Sequence, residues 1–149
     1  MATDFKCPHC LSLLNVGENV VFSTRNSWGK QGLIILHPDL GNYNVIKHPE
    51  FEVLPGELLE FYCPFCNKQL LSERNFNLAK ILMNDEKGLV CEIHFSRIAG
   101  QHSTYKIIGD NVEIFGKDAS EYLDSINDGI MGMLCSPVLN CSGLSSFRL

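Results

Sequence analysis

Two short turns, Cys7-Pro-His-Cys10 and Cys63-Pro-Phe-Cys66, constrain this chain more than anything else in it. Two residues between the thiols let both sulfurs of a turn face one point, with the backbone amides of the turn aimed at them. Proline after the first cysteine fixes φ and removes a donor, which stiffens the turn before any metal arrives. One such turn is weak evidence. Two of the same form supply four thiolates, the usual donor set of a closed, tetrahedral structural zinc site. The turns are 52 residues apart (63 − 10 − 1). The insert must therefore fold into hairpins that bring its ends together, and the entropy of closing such a loop rises only slowly with length.

Composition narrows the partners. Hydrophobic residues make up 45% of the 149, enough for a packed core. The net charge is −5 and no run of Lys or Arg occurs, which disfavours nucleic acid as the partner. No apolar stretch precedes the first turn, and no segment approaches the roughly 20 apolar residues of a membrane span. The chain reads as cytoplasmic. Its seven cysteines then read as ligands and core residues rather than disulfides.

Taken in order, residues 3–6 form a strand leading into the first turn, and residues 11–14 run back beside it. Residues 19–24 and 33–37 are apolar or β-branched runs separated by a polar, glycine-containing loop, the pattern of a hairpin. Trp28 sits in that loop and is expected to fold back as a lid on the core. Residues 44–47 form a short strand. Phe51-Glu-Val-Leu-Pro-Gly56 alternates and then turns. Residues 58–62 deliver the second turn, with 68–71 as its return strand. Residues 78–84 and 89–98 form a second hairpin, preferred over a competing helix across 70–83. In it Cys91, Ile93 and Phe95 alternate with polar neighbours. A third hairpin joins 103–108 to 112–115. Asp118 with Glu121 three residues later predicts a capped helix start, with Tyr122 and Ile126 on one face and Gly129 ending it.

These elements predict a β-rich α+β fold: a zinc ribbon joined to a small antiparallel sheet, with one C-terminal helix. Residues 1–128 form the domain. Residues 129–149 form an apolar, then serine-rich, tail.

Zn2+ held by Cys7, Cys10, Cys63 and Cys66 is the favoured chemistry, and iron is the alternative. Rubredoxin-like iron knuckles also carry proline, but they place glycine after the second cysteine. Here Leu11 and Asn67 stand there, which favours zinc. Cys-Pro-His-Cys also resembles the active-site motif of thioredoxin-like disulfide oxidoreductases, in which the first thiol is activated at a helix N-terminus within a βαβ unit. No such unit precedes Cys7, and that reading leaves the second turn unexplained. His9 reads as a solvated turn residue, Cys91 as a core residue, and Cys135 and Cys141 as inert. The polar stretch 94–106 is a possible binding surface for an acidic peptide or anion, built from His94, Arg97, His102, Tyr105 and Lys106. No acid–base pair or nucleophile–base pair can be placed together from the sequence, so an enzyme is not favoured.

The paired turns, with Gly56-Glu-Leu-Leu-Glu-Phe-Tyr-Cys-Pro-Phe-Cys66 leading into the second, resemble the CpXC family of uncharacterised bacterial and archaeal proteins. Leu78 to Asp85 is similar in character, and the resemblance spans about the first two-thirds of the chain. It implies a metal-binding domain with Cys7, Cys10, Cys63 and Cys66 as ligands and no assigned reaction. The function expected is a non-enzymatic, zinc-stabilised module that binds a protein partner. A one-electron iron carrier and a thiol oxidoreductase are the alternatives.

Overall fold

The computed structural model describes residues 3–126. The apolar and serine-rich tail, the expected helix stop at Gly129, Cys135 and Cys141 lie outside the described residues.

Among the described residues, ten strands form two antiparallel five-stranded sheets. In chain order they are β1 (Asp4–Lys6), β2 (Asn15–Val16), β3 (Asn19–Arg25), β4 (Gln31–Leu36), β5 (Val45–Lys47), β6 (Glu60–Tyr62), β7 (Leu78–Asn84), β8 (Val90–Ser96), β9 (Thr104–Ile108) and β10 (Asn111–Phe115). The first sheet has the order β1-β7-β8-β9-β10. The second runs β2-β3-β4-β5, with β6 also paired to β3. β2 covers the start of β3 and β6 its end, both along the edge opposite β4. The three expected hairpins form as β3–β4, β7–β8 and β9–β10. The helix considered across 70–83 does not form, because period-2 alternation continues through β7, with Ala79, Ile81 and Met83 buried on one face.

The sheets pack face to face. Phe5, Ile81, Met83, Cys91 and Ile93 of the first sheet meet Val20, Phe22, Ile34 and Phe61 of the second in one buried cluster. Three rings anchor it: Phe61 lies edge-on to Phe22 and to Phe95, at centroid separations of 5.5 and 5.1 Å. Such edge contacts add about 0.5–1.5 kcal/mol beyond area burial. Phe51, read as part of an alternating stretch, joins no strand. Its ring lies over Gly32 of β4, where a side chain would occupy the ring's place.

The far face of the first sheet is covered too. Leu78, Tyr105 and Ile107 pack there against Ala119, Tyr122 and Ile126 of a short C-terminal helix. That helix starts as a 3-10 turn, Ala119–Tyr122, without the capping bond its sequence predicts. Asp118 is diverted. Its carboxylate accepts the His102 amide at 2.9 Å, and its own amide donates to the His102 carbonyl. Trp28 is not a lid: it is 58% exposed. Asn26 Oδ1 accepts the amides of both Trp28 and Lys30, which closes the loop too tightly for the indole to reach the core. No helix among the described residues is long and apolar enough to cross a membrane.

Candidate metal centre

Each Cys-Pro-x-Cys turn lies where the chain crosses from one sheet to the other. β1 of the first sheet enters the first turn, and β2 of the second sheet follows. β6 of the second sheet enters the second turn, and β7 of the first sheet follows. The two crossings are built alike at an offset of 56 residues (63 − 7). The amide of Leu14 donates to the Phe5 carbonyl and that of Leu70 to the Phe61 carbonyl, both at 2.8 Å. Leu11 bonds back to the Cys7 carbonyl and Asn67 to the Cys63 carbonyl, both at 2.9 Å. Leu11 and Asn67 are the only non-glycine residues with positive φ among those described, at 62° and 64°. The turn thus takes the left-handed form that glycine would favour, although glycine is absent. For leucine this conformation costs about 1–2 kcal/mol, which the surrounding turn must offset.

The turns bring their sulfurs together. The amides of His9 and Cys10 donate to Cys7 Sγ at 3.3 and 3.5 Å, and those of Phe65 and Cys66 to Cys63 Sγ at 3.3 and 3.4 Å. Cys7 Sγ is 3.7 Å from Cys66 Sγ, and Cys10 Sγ is 3.7 Å from Cys63 Sγ. All four sulfurs lie within 4.8 Å of one another. A regular tetrahedron with metal–sulfur bonds of about 2.3 Å has edges of about 3.8 Å, so donor type and spacing both fit one tetrathiolate-bound ion.

Burial divides the four thiols. Cys7 and Cys63 are fully buried, Cys66 is half-buried and Cys10 is exposed. Burial pushes the Cys7 thiol up to about 12 and raises Cys63, against the pull of the amides bonded to each sulfur. Hydrogen bonds from the Ser12 hydroxyl and amide bring Cys10 down to about 6. Four thiolates within one van der Waals shell repel strongly, and a cation among them reverses that balance by ionising its ligands outright. His9, expected in solvent, is exposed, and its Nε2 lies 3.3 Å from the Gln69 carbonyl beyond the second turn. Cys91 is a buried strand residue, and burial raises its thiol pKa.

The polar stretch 94–106 does not form one surface. His94, Arg97 and Tyr105 are at most 2% exposed. His94 and Tyr105 are cross-strand partners on the helix-covered face, whereas Lys106 pairs with Ile93 on the opposite face. Strand alternation separates residues that sit close together in sequence. Arg97 turns inward, donating through Nε to the Leu59 carbonyl and through NH1 to the Phe76 carbonyl, with its guanidinium 4.8 Å from the Phe76 ring centre. His102 stacks on Tyr43 at 4.2 Å.

One polar constellation was not legible in the sequence. His94 Nδ1 lies 2.8 Å from Ser72 Oγ, and Nε2 lies 2.9 Å from Glu92 Oε1. Ser72 is 5% exposed, and its hydroxyl already accepts the Arg74 amide. The line of hydroxyl, imidazole and carboxylate pins the 72–77 segment to the sheet. The hydrogen bond from His94, joined by the charges of Lys80 and Arg74, holds the Glu92 carboxyl below its usual value near 4.5 despite partial burial. A carboxylate with a depressed folded pKa contributes stability above its unfolded pKa and loses it as pH falls through the folded one. The expected result is a stability advantage of wild type over Glu92→Gln that shrinks as pH falls below 4.5. Denaturant midpoints of both proteins measured across that range check this.

Comparisons with protein-family models, with curated proteins and with solved structures found no match to this chain.

Proposed function

We propose that the two turns hold a structural zinc ion as a zinc ribbon, and that the domain is a non-enzymatic module that binds another protein. The observation that carries the zinc assignment is the clustering of four sulfurs, within 4.8 Å of one another, from turns 52 residues apart. Such an ion ties together the two places where the chain changes sheets, so its binding energy becomes folding energy.

A protein partner is supported by the apolar side chains displayed around the site. Leu11, Phe65, Leu13 and Leu71 lie in the turns or in the return segments just after them, and are 60%, 66%, 48% and 38% exposed. The net charge of −5 argues against a phosphate backbone as partner. A reducing compartment such as the cytoplasm, where thiols stay free to act as ligands, suits the site.

A second reading, a one-electron iron carrier, is favoured by the pairs of amides bonded to Cys7 Sγ and Cys63 Sγ. Hydrogen bonds to sulfur are among the factors that set the potential of iron–sulfur sites. Elemental analysis and an absorption spectrum of protein purified from metal-replete cells separate the two. The expected result is one zinc per chain and no visible colour. Stoichiometric iron with charge-transfer bands overturns the zinc assignment. The interaction reading predicts that a co-purifying protein is lost in a Leu11→Ser/Phe65→Ser double variant that keeps its metal. Co-purification unaffected by that variant overturns it.

A further inference from the structure

The space between the two sheets is not fully packed. A cavity of about 360 Å3, half open to solvent, lies there, with walls formed by inward residues of both sheets, among them Phe5, Val20, Ile34, Phe61, Ile81 and Ile93. Protein interiors pack like organic crystals, and voids larger than a water molecule are few. An apolar void of about 150 Å3 is enough to bind benzene, and small-molecule sites begin near 300 Å3. This cavity is therefore about twice the size that takes one aromatic ring.

Its lining is asymmetric. The deep walls are apolar strand residues. The polar lining comes mostly from two loops: residues 37–44, which supply His37, Asp39, Asn42 and Tyr43, and residues 97–103, which supply Gln101 and His102, with Lys47, Ser96 and Thr104 added from strand ends. The lining carries both signs of charge, Lys47 and Arg97 against Asp39. Lys47 Nζ donates to the Phe51 carbonyl at 2.8 Å, and the Arg97 guanidinium donates to the carbonyls of Leu59 and Phe76. The lining therefore selects no single ligand charge, and its apolar deep walls make any charge costly to bury. The lining hydroxyls are bonded within the protein, Tyr43 OH to Thr104 Oγ1 and Ser96 Oγ to Gln101 Oε1, which leaves the side-chain amides of Asn42 and Gln101 and the imidazoles for a single neutral hydrogen-bonding end.

From this geometry we infer that the inter-sheet cavity is a binding site for an uncharged, apolar small molecule of about two rings' size, carrying one hydrogen-bonding end that faces the 37–44 and 97–103 loops. The site is separate from the cysteine quartet and does not depend on which metal the quartet holds.

The test uses the intact, metal-loaded chain and 2-naphthol, a neutral two-ring probe with one hydroxyl, with 2-naphthalenesulfonate as its charged counterpart. Titration calorimetry is expected to give one site for 2-naphthol with a Kd of about 100 μM or tighter, and binding at least about tenfold weaker for the sulfonate. Leu36→Trp and Val53→Trp fill the cavity from different positions, and each is expected to weaken 2-naphthol at least about tenfold without lowering thermal stability. Methyl NMR of the wild type supplies a readout free of any variant: shifts are expected at Val20, Ile34, Ile81 and Ile93. Absence of one-site binding, equal affinity for the sulfonate, or shifts confined to residues outside the cavity would overturn the proposal.

Discussion

Cys63→Ser is expected to abolish stoichiometric metal binding and to lower the melting temperature by about 15 °C or more. The reasoning starts from position. Cys63 is fully buried, its sulfur accepts two backbone amides, and it lies 3.7 Å from Cys10 Sγ. A serine hydroxyl is a poor ligand for a soft site, and three thiolates hold zinc far less well than four. Small zinc domains draw about 10 kcal/mol or more of apparent free energy from their ion, as much as the whole stability of many domains. This chain has a two-sheet core besides, so some of its structure does not depend on the ion. A loss of about 5 kcal/mol, at roughly 3 °C per kcal/mol for a chain of this size, gives the stated shift. Differential scanning calorimetry with and without chelator checks it. Chelator is expected to bring wild type down to the variant and to leave the variant unmoved. A Cys63→Ser protein with native stability and full metal content would show that the quartet is not a metal site.

Gly116→Ala is expected to cost about 3 kcal/mol, or roughly 10 °C, without touching the cysteines. Gly116 follows β10 and has φ of 99°, a left-handed conformation that disfavours any side chain. That alone costs about 1 kcal/mol. An added Cβ would also run into the His102 carbonyl oxygen and the Tyr43 hydroxyl. Neither can yield easily. The His102 carbonyl accepts the Asp118 amide at 2.9 Å, and Tyr43 OH is bonded to Thr104 Oγ1 at 2.8 Å and to the Phe115 carbonyl at 3.2 Å. Overpacking of this kind adds about 1–3 kcal/mol. Gly29→Ala is the control. Its φ is 85°, but nothing lies within 4 Å of the added carbon, so only the conformational part applies, about 1 kcal/mol. Thermal melts of the two variants separate crowding from backbone strain. Equal losses in both would mean that the Tyr43–His102 corner yields to the added carbon.

The four ligand candidates, the three hairpins and the β-rich character were legible from residues 3–115, because each rests on local chemistry. The two-residue spacing of thiols, the period-2 alternation of Cys91, Ile93 and Phe95, and polar glycine-bearing loops act over a few residues and need no knowledge of distant neighbours. Placement across the chain was not legible. That two sheets face each other, that both cysteine turns fall at crossings between them, and that a cavity is left inside depend on contacts between residues far apart in sequence. The same limit explains the misplacements. Arg97, His94 and Tyr105 look like a polar surface in a linear reading, yet the C-terminal helix packs on Tyr105, Ser72 meets His94, and Arg97 turns inward onto the Leu59 and Phe76 carbonyls. Asp118 looks like a helix cap, yet the backbone of His102, 16 residues earlier, takes its carboxylate first. Local propensities are fractions of a kcal/mol, and the burial of a polar group or the filling of a sheet face is worth several times more, so where the two compete the long-range contact prevails.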